Sequence, residues 1–405
     1  MSFYGQGLLL SLTPLIQVSM DIEHVRSRFI KHFDGKTGNI YASPGRINLI
    51  GEHTDYNGGF VFPGAIDKGI MAEVRPNGLQ TIMCYSIDLK DRVEFKVDDP
   101  VGPRASWARY IYGIVQEMRK LGVDVKGFNT AFAGDVPLGA GMSSSAALES
   151  CFAFALNDLF GDNKISKWDM VLAGQATEHN YCGVMCGIMD QFAVGLGKKD
   201  NAILLDCNTL KYEYVPVKLV NMSIVIVNTN KKRGLADSKY NERRTSCEEA
   251  VKVLNNNGVN IKYLGELTVT EFEKVKHYIT DEEQLKRATH AVTENERAKI
   301  AVEFLKKDDI AEFGKLMNKS HTSLRDDYEV TGLELDSLVE AAWEEKGTVG
   351  SRMTGAGFGG CTVSIVENDY VDSFIKNVGK KYKEKTGLEA SFYIANIGDG
   401  AGKVK

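Results

Sequence analysis

Ser43-Pro44-Gly45-Arg46-Ile47-Asn48-Leu49-Ile50-Gly51-Glu52-His53-Thr54-Asp55-Tyr56-Asn57-Gly58-Gly59-Phe60 crowds Arg46, Glu52, His53 and Asp55 into ten positions. The apolar step 47–50 reads as a short buried strand, so the polar cluster leaves a rigid element directly into a glycine-rich loop. Converging hydrogen-bonding side chains, with glycines that admit close backbone approach, suit a pocket. A solvated turn is the plainer reading, and two further glycine-rich stretches count against it.

The second stretch is Gly134-Asp135-Val136-Pro137-Leu138-Gly139-Ala140-Gly141-Met142-Ser143-Ser144-Ser145-Ala146-Ala147-Leu148-Glu149. It follows a strand-like run, 128–133, and enters a buried helix expected over 142–160. Free backbone N–H groups, hydroxyls and the positive end of a helix dipole make an anion site, best matched to a polyphosphate. One serine would read as an ordinary helix cap; three in a row behind a strand favour the anion site. No Gly-x-x-x-x-Gly-Lys-Ser/Thr loop occurs: Gly35-Lys36-Thr37 is only its tail, with Ile30 in place of the first glycine.

The third stretch, Thr354-Gly355-Ala356-Gly357-Phe358-Gly359-Gly360-Cys361, has the formal dinucleotide pattern at Gly355, Gly357 and Gly360. That pattern needs a strand before it and a helix after it. Residues 361–366 alternate like a strand and Met353-Thr354 is no obvious preceding one, so a hairpin-like glycine loop beside a site is expected instead.

In this order the three stretches resemble the signature motifs of the galactokinases, within the small-molecule kinases that include homoserine, mevalonate and phosphomevalonate kinases (the GHMP kinases). The first motif is the specific one; superfamily relatives share versions of the other two. The resemblance implies a two-domain α+β GHMP-kinase fold with the active site in the cleft. It implies ATP-dependent phosphorylation of the anomeric hydroxyl of galactose, with magnesium. Glu52, His53 and Asp55 would grip the 3-, 4- and 6-hydroxyls, with Gly187 and Tyr240 as further sugar contacts. Asp190, in Gly187-Ile188-Met189-Asp190-Gln191-Phe192, would accept the anomeric proton, oriented by Arg46. A carboxylate among Ile188, Met189 and Phe192 is partly buried and needs such a partner; a purely structural ion pair is the bland alternative. Pro137, Gly139, Ala140, Gly141, Met142, Ser143, Ser144, Ser145 and Ala146 would form the phosphate loop. Ser144 or Ser145, with Glu178, would supply magnesium with hard oxygen ligands. Adenine is expected near Trp107 and Tyr110, with Ser86 beside it, although such aromatics serve equally well as core. His179 reads as an ordinary helix-end histidine, and Tyr240 on a helix face reads equally as packing.

Composition sets bounds. The chain has 405 residues, 25% charged and 43% hydrophobic, with a formal net charge of −5, as in an ordinary globular protein large enough for two domains. No basic run points to nucleic acid and no apolar stretch to a membrane span. Seven scattered cysteines fit a reducing cytoplasm, and Cys182 with Cys186 lacks the second pair a metal site needs. A monomer or weak oligomer is expected. Residues 1–20 contain no charged residue and no positive leader, and read as an appendage ahead of a domain at 21–215 and a second at 216–405. Strands are expected at 70–74, 81–85, 222–227, 361–366 and 391–395. Helices are expected at 105–121, 166–181, 236–254, 281–307 and 332–345. Two competing functions stand beside the kinase for galactose: a kinase for N-acetylgalactosamine, galacturonate or arabinose, and a galactose- and ATP-binding sensor without turnover. A sensor could lose Asp190, Arg46 or the serines, and all are present.

Overall fold

A computed structural model describes residues 21–135, 142–231 and 236–404; residues 1–20, expected to be an appendage, and Pro137, Gly139, Ala140 and Gly141 of the expected phosphate loop lie outside them. Among the described residues the strands form three sheets. The first runs Gly402–Lys403, Asn39–Asn48, Pro63–Pro76, Phe128–Gly134, Thr81–Ser86, Asp91–Lys96, antiparallel except where Thr81–Ser86 lies parallel to Phe128–Gly134. The second, fully antiparallel, runs Thr348–Thr354, Cys361–Glu367, Met222–Asn228, Ser391–Ala395. A small third sheet joins Phe60–Val61, Asn201–Asp206 and Tyr212–Pro216.

Helix faces follow apolar spacing. In Ser106–Lys120 the buried Ala108, Ile111, Val115 and Met118 recur every three or four residues and form one stripe. Helix Ser144–Phe160 has no such stripe: Ala146, Ala147, Leu148, Cys151, Phe152, Ala153, Ala155 and Leu156 are all buried, because sheet and helices enclose it. On Val371–Thr386, Phe374, Val378 and Tyr382 cover Val225 and Val227 of the second sheet.

The expected division at 215/216 does not separate the sheets cleanly. Gly402–Lys403 pairs with Tyr41 and Ala42 in the first sheet. One core also joins Ile47, Leu49, Ile50 and Phe62 to Ile224, Ile226, Ala298, Phe313 and Val363. Three local expectations change. The helix expected from 142 begins at Ser144, because Ser143 is left-handed (φ 57°). The helix expected to reach 181 ends at Thr177 and gives way to a wider, π-type turn, Glu178–Cys182, closed by Gly183. The third glycine stretch does follow a strand, Thr348–Thr354, but that strand turns back antiparallel into Cys361–Glu367. No helix among the described residues is long and apolar enough to cross a membrane.

Candidate active site

The three motifs meet through backbone and buried charge. Strand Asn39–Asn48 brings Arg46 inward, and its end is tied to the glycine hairpin: Asn48 N–H donates to Thr354 Oγ1 (3.0 Å) and Arg352 Nη1 to Asn48 O (2.8 Å). Arg352 also pairs with Glu52 Oε2 at 2.9 Å, while Gly355 N–H donates to Glu52 Oε1 at 2.9 Å. Burial pushes the Glu52 carboxyl up, and Arg352 and Arg46 pull against it. Beneath the loop, Glu294 Oε1 accepts from Gly51 N–H (2.9 Å) and Ser320 Oγ (2.6 Å). Burial opposes the Glu294 charge, yet Arg297 above all holds this carboxyl down at about 2. The sugar motif is therefore seated on charges from the far half of the chain. Arg352 and Glu294 escaped sequence reading because nothing local links them to positions some three hundred and two hundred and forty residues away.

The catalytic candidates form a bidentate pair. Arg46 Nε donates to Asp190 Oδ1 and Nη2 to Oδ2, both at 2.8 Å. Asp190 starts helix Met189–Leu196, and Ser143 Oγ donates to its Oδ2. Ser143 is thus no side-chain cap of its own helix.

Asp55 shares the pocket wall with Asp190 and is partly buried; burial first, then the Asp190 charge, pushes its carboxyl up to about 7. Gly187 lies directly against it: a Cβ there would fall 1.7 Å from Asp55 Oδ2, so any side chain would force the carboxylate or the backbone to shift. His53 sits at φ 61° with Nε2 3.2 Å from Ala356 O and Nδ1 2.8 Å from the Tyr56 hydroxyl. A carbonyl only accepts, so Nε2 carries the hydrogen, Nδ1 accepts from Tyr56, and Tyr328 donates on to Tyr56 at 2.8 Å. Burial holds the imidazole down to about 3, and the ring is neutral. Both its nitrogens thus have protein partners.

One pocket of about 410 Å³ is lined by Arg46, Glu52, His53, Asp55, Ser86, Trp107, Tyr110, Ser144, Ser145, Glu178, Gly187, Asp190 and Tyr240. Asp88, Leu89, Phe132 and Leu148, which sequence reading passed over, complete the wall near Trp107. Trp107 packs beside Phe132, with ring centres 5.4 Å apart, and also lines the pocket. Met142 and Ala146, expected to serve through the backbone of the phosphate loop, do not line the pocket. Their side chains are buried in the core, and Met142 contributes its carbonyl to Arg46 N–H (3.2 Å). Ser144, Ser145 and Glu178 share the wall and offer two hydroxyls and a carboxylate, a hard-oxygen set that fits magnesium with its retained waters.

A chain with a serine-headed buried helix and an enclosed Arg–Asp fork in one pocket matches the GHMP kinases. Their N terminal domain model matches residues 109–198 and their C terminal model residues 301–384. The mevalonate kinase of Methanococcus jannaschii shares this fold at 18% identity, with a TM-score of 0.65 over 90% of this chain and 99% of that one. The galactokinase galactose-binding signature matches residues 27–76. A galactokinase of Fusobacterium nucleatum is 75% identical over 370 residues, 90% of this chain and 95% of that protein. One from Clostridium acetobutylicum is 52% identical over 96% of this chain and 99% of its own length. The structure of Lactococcus lactis galactokinase complexed with galactose is similar at 45% identity and a TM-score of 0.90, covering 94% of this chain and 98% of that one. The chain belongs to the galactokinase family.

Proposed function

We propose that Asp190 and Arg46 run the transfer of a phosphoryl group from ATP to the anomeric hydroxyl of galactose, giving α-galactose 1-phosphate. The observation that carries this reading is the position of Asp190. It is forked to Arg46, touches Ser143 at the head of the phosphate-facing helix, and faces Asp55 in the same pocket. Asp190 accepts the proton of the attacking hydroxyl on a lone pair that the fork leaves over, since 28% of its side chain remains open. Arg46 orients that carboxylate and stabilises charge on the moving phosphoryl.

Asp55 accepts hydrogen bonds from the sugar hydroxyls away from the reacting carbon, Glu52, held by Arg352 and Gly355, fixes the loop that presents it, and Tyr240 closes that end of the pocket. His53, with both nitrogens spoken for, shapes the wall. Backbone N–H groups at the start of Ser144–Phe160 hold phosphate, and Trp107, Tyr110 and Ser86 flank the base. Ser144, Ser145 and Glu178 would hold magnesium, which neutralises polyphosphate charge when bound. A cytoplasmic place and a monomeric or weakly associated state belong to the same reading; seven free thiols support the reducing compartment.

ADP release with Mg-ATP, compared across galactose, glucose, N-acetylgalactosamine, galacturonate and arabinose, tests it. Strong preference for galactose is expected. A different preferred sugar would overturn the role given to Asp55, and saturable galactose binding without turnover would leave a sensor.

A further inference from the structure

Residues 183–188 run without regular structure between the wide turn Glu178–Cys182 and helix Met189–Leu196. Val184, Cys186 and Gly187 of this strap face the pocket, and Gly187 rests on Asp55. Three side chains from outside the strap hold its carbonyls, Gln175 Nε2 reaching Cys186 O at 3.5 Å. His179 Nε2 donates to Cys186 O at 2.9 Å, and Arg244 Nη1, from helix Ala236–Asn256, donates to Met185 O at 2.8 Å. The Arg244 guanidinium also lies 6.0 Å from the centre of the Tyr56 ring and is steadied by Glu248, which accepts from its Nε at 2.9 Å. Arg244 itself is not part of the pocket wall.

We propose that Arg244 is a positioning residue of the sugar site, pinning Met185 so that the strap holds Gly187 against the Asp55 carboxylate. The inference rests on the assignment of Asp55 to the sugar. Its physical basis is that a glycine-bearing strap has no ladder of its own, so the place of Gly187 depends on the side chains that grip its neighbours.

Arg244 also acts through charge. Asp55 faces negative Asp190 on helix Met189–Leu196 and Glu52 on its own loop. Arg46 on strand Asn39–Asn48 and Arg244 supply positive charge. The neutral groups toward it are Tyr56, Tyr240, Cys186 and Cys207. Burial and Asp190 raise the Asp55 pKa while Arg244 lowers it. Arg244 therefore extends the range in which Asp55 is an ionised acceptor toward lower pH.

Arg244→Gln and Arg244→Lys, compared with the parent, test this by galactose affinity from calorimetry and by the pH profile of kcat/KM for galactose. The glutamine variant should bind galactose about tenfold more weakly, the loss of one charge-assisted hydrogen bond. Its KM for ATP should stay as in the parent, and the acid limb of its profile should move to higher pH. The lysine variant, which keeps the charge but not the planar fork, should bind weakly with the limb back in place. Parental galactose affinity in the glutamine variant, an unmoved limb, no rescue of the limb by lysine, or a parallel rise in both KM values would each overturn the inference. A parent enzyme that does not turn over galactose at all would instead sink the functional reading beneath it.

Discussion

Arg46 and Asp190 meet as a flat fork, with a guanidinium only 4% exposed on one side and a carboxylate 28% open on the other. The exposed part of the carboxylate faces the pocket while the buried cation fixes its plane. Asp190→Asn keeps the shape but removes the acceptor. It should lower kcat by about 10²–10⁴-fold, the usual worth of a general base. Galactose affinity, read by calorimetry, should change only a few-fold; near-parental kcat would remove Asp190 from the chemistry.

Gly187→Ala places a methyl 1.7 Å from Asp55 Oδ2, so the carboxylate or the strap must move by an ångström or more. Misplacement on that scale costs about 10²-fold in sugar kcat/KM. The ATP KM should stay put. A variant with parental galactose kinetics would show that the site does not depend on this contact.

Asp55 ties sugar binding to pH. Its carboxyl is pushed up to about 7 by burial and by Asp190, so it is increasingly protonated as pH falls through 7. Galactose affinity should therefore weaken toward acid and level off above neutrality. A sugar hydroxyl that donates to the ionised form expels a proton near pH 7. Calorimetry in two buffers of different ionisation enthalpy would read that proton, and Asp55→Asn should abolish it. Equal heats in both buffers for the parent would contradict this.

Arg352 is fully buried against Glu52, and neither has water to fall back on. Arg352→Met leaves the carboxylate enclosed and unpaired, which costs about 3–5 kcal/mol. Urea unfolding should show this, and Arg352→Met with Glu52→Gln should recover part of it. A double variant no more stable than the single would mean that the lost stability comes from packing instead.

Glu178→Gln removes the carboxylate from the hard-oxygen set. The magnesium concentration for half-maximal rate should rise while galactose affinity is kept. An unchanged magnesium requirement would take Glu178 out of the metal's reach.

What could be read in advance depended on distance along the chain. Glu52, Asp55 and Asp190 stood out because carboxylates among glycines and apolar residues need partners. The face of Ser106–Lys120 showed in its spacing. Helix Ile310–Asp326 was missed although Ile310, Phe313, Met317 and Leu324 recur along one buried face, a stripe of the same kind as that on Ser106–Lys120. Strand Asp91–Lys96 buries only Phe95, so as an edge strand it has no alternation to find. The wide turn at Glu178 carries no local mark, because one extra residue in a helical turn changes no periodicity over so short a length. Neither Arg352 nor Arg244 had a local reason to be singled out, as each takes its role from a carbonyl or carboxylate delivered by another part of the fold.

The shared core beneath the sugar motif has a mechanical consequence. Ile47, Leu49 and Phe62 interlock with Ile224, Ala298 and Phe313, so the two halves have no greased plane along which to part. A clamshell swing would have to tear that interior open. The floor of the pocket is thus one rigid waist shared by both ends of the chain. Under heat the two halves should melt as one cooperative body.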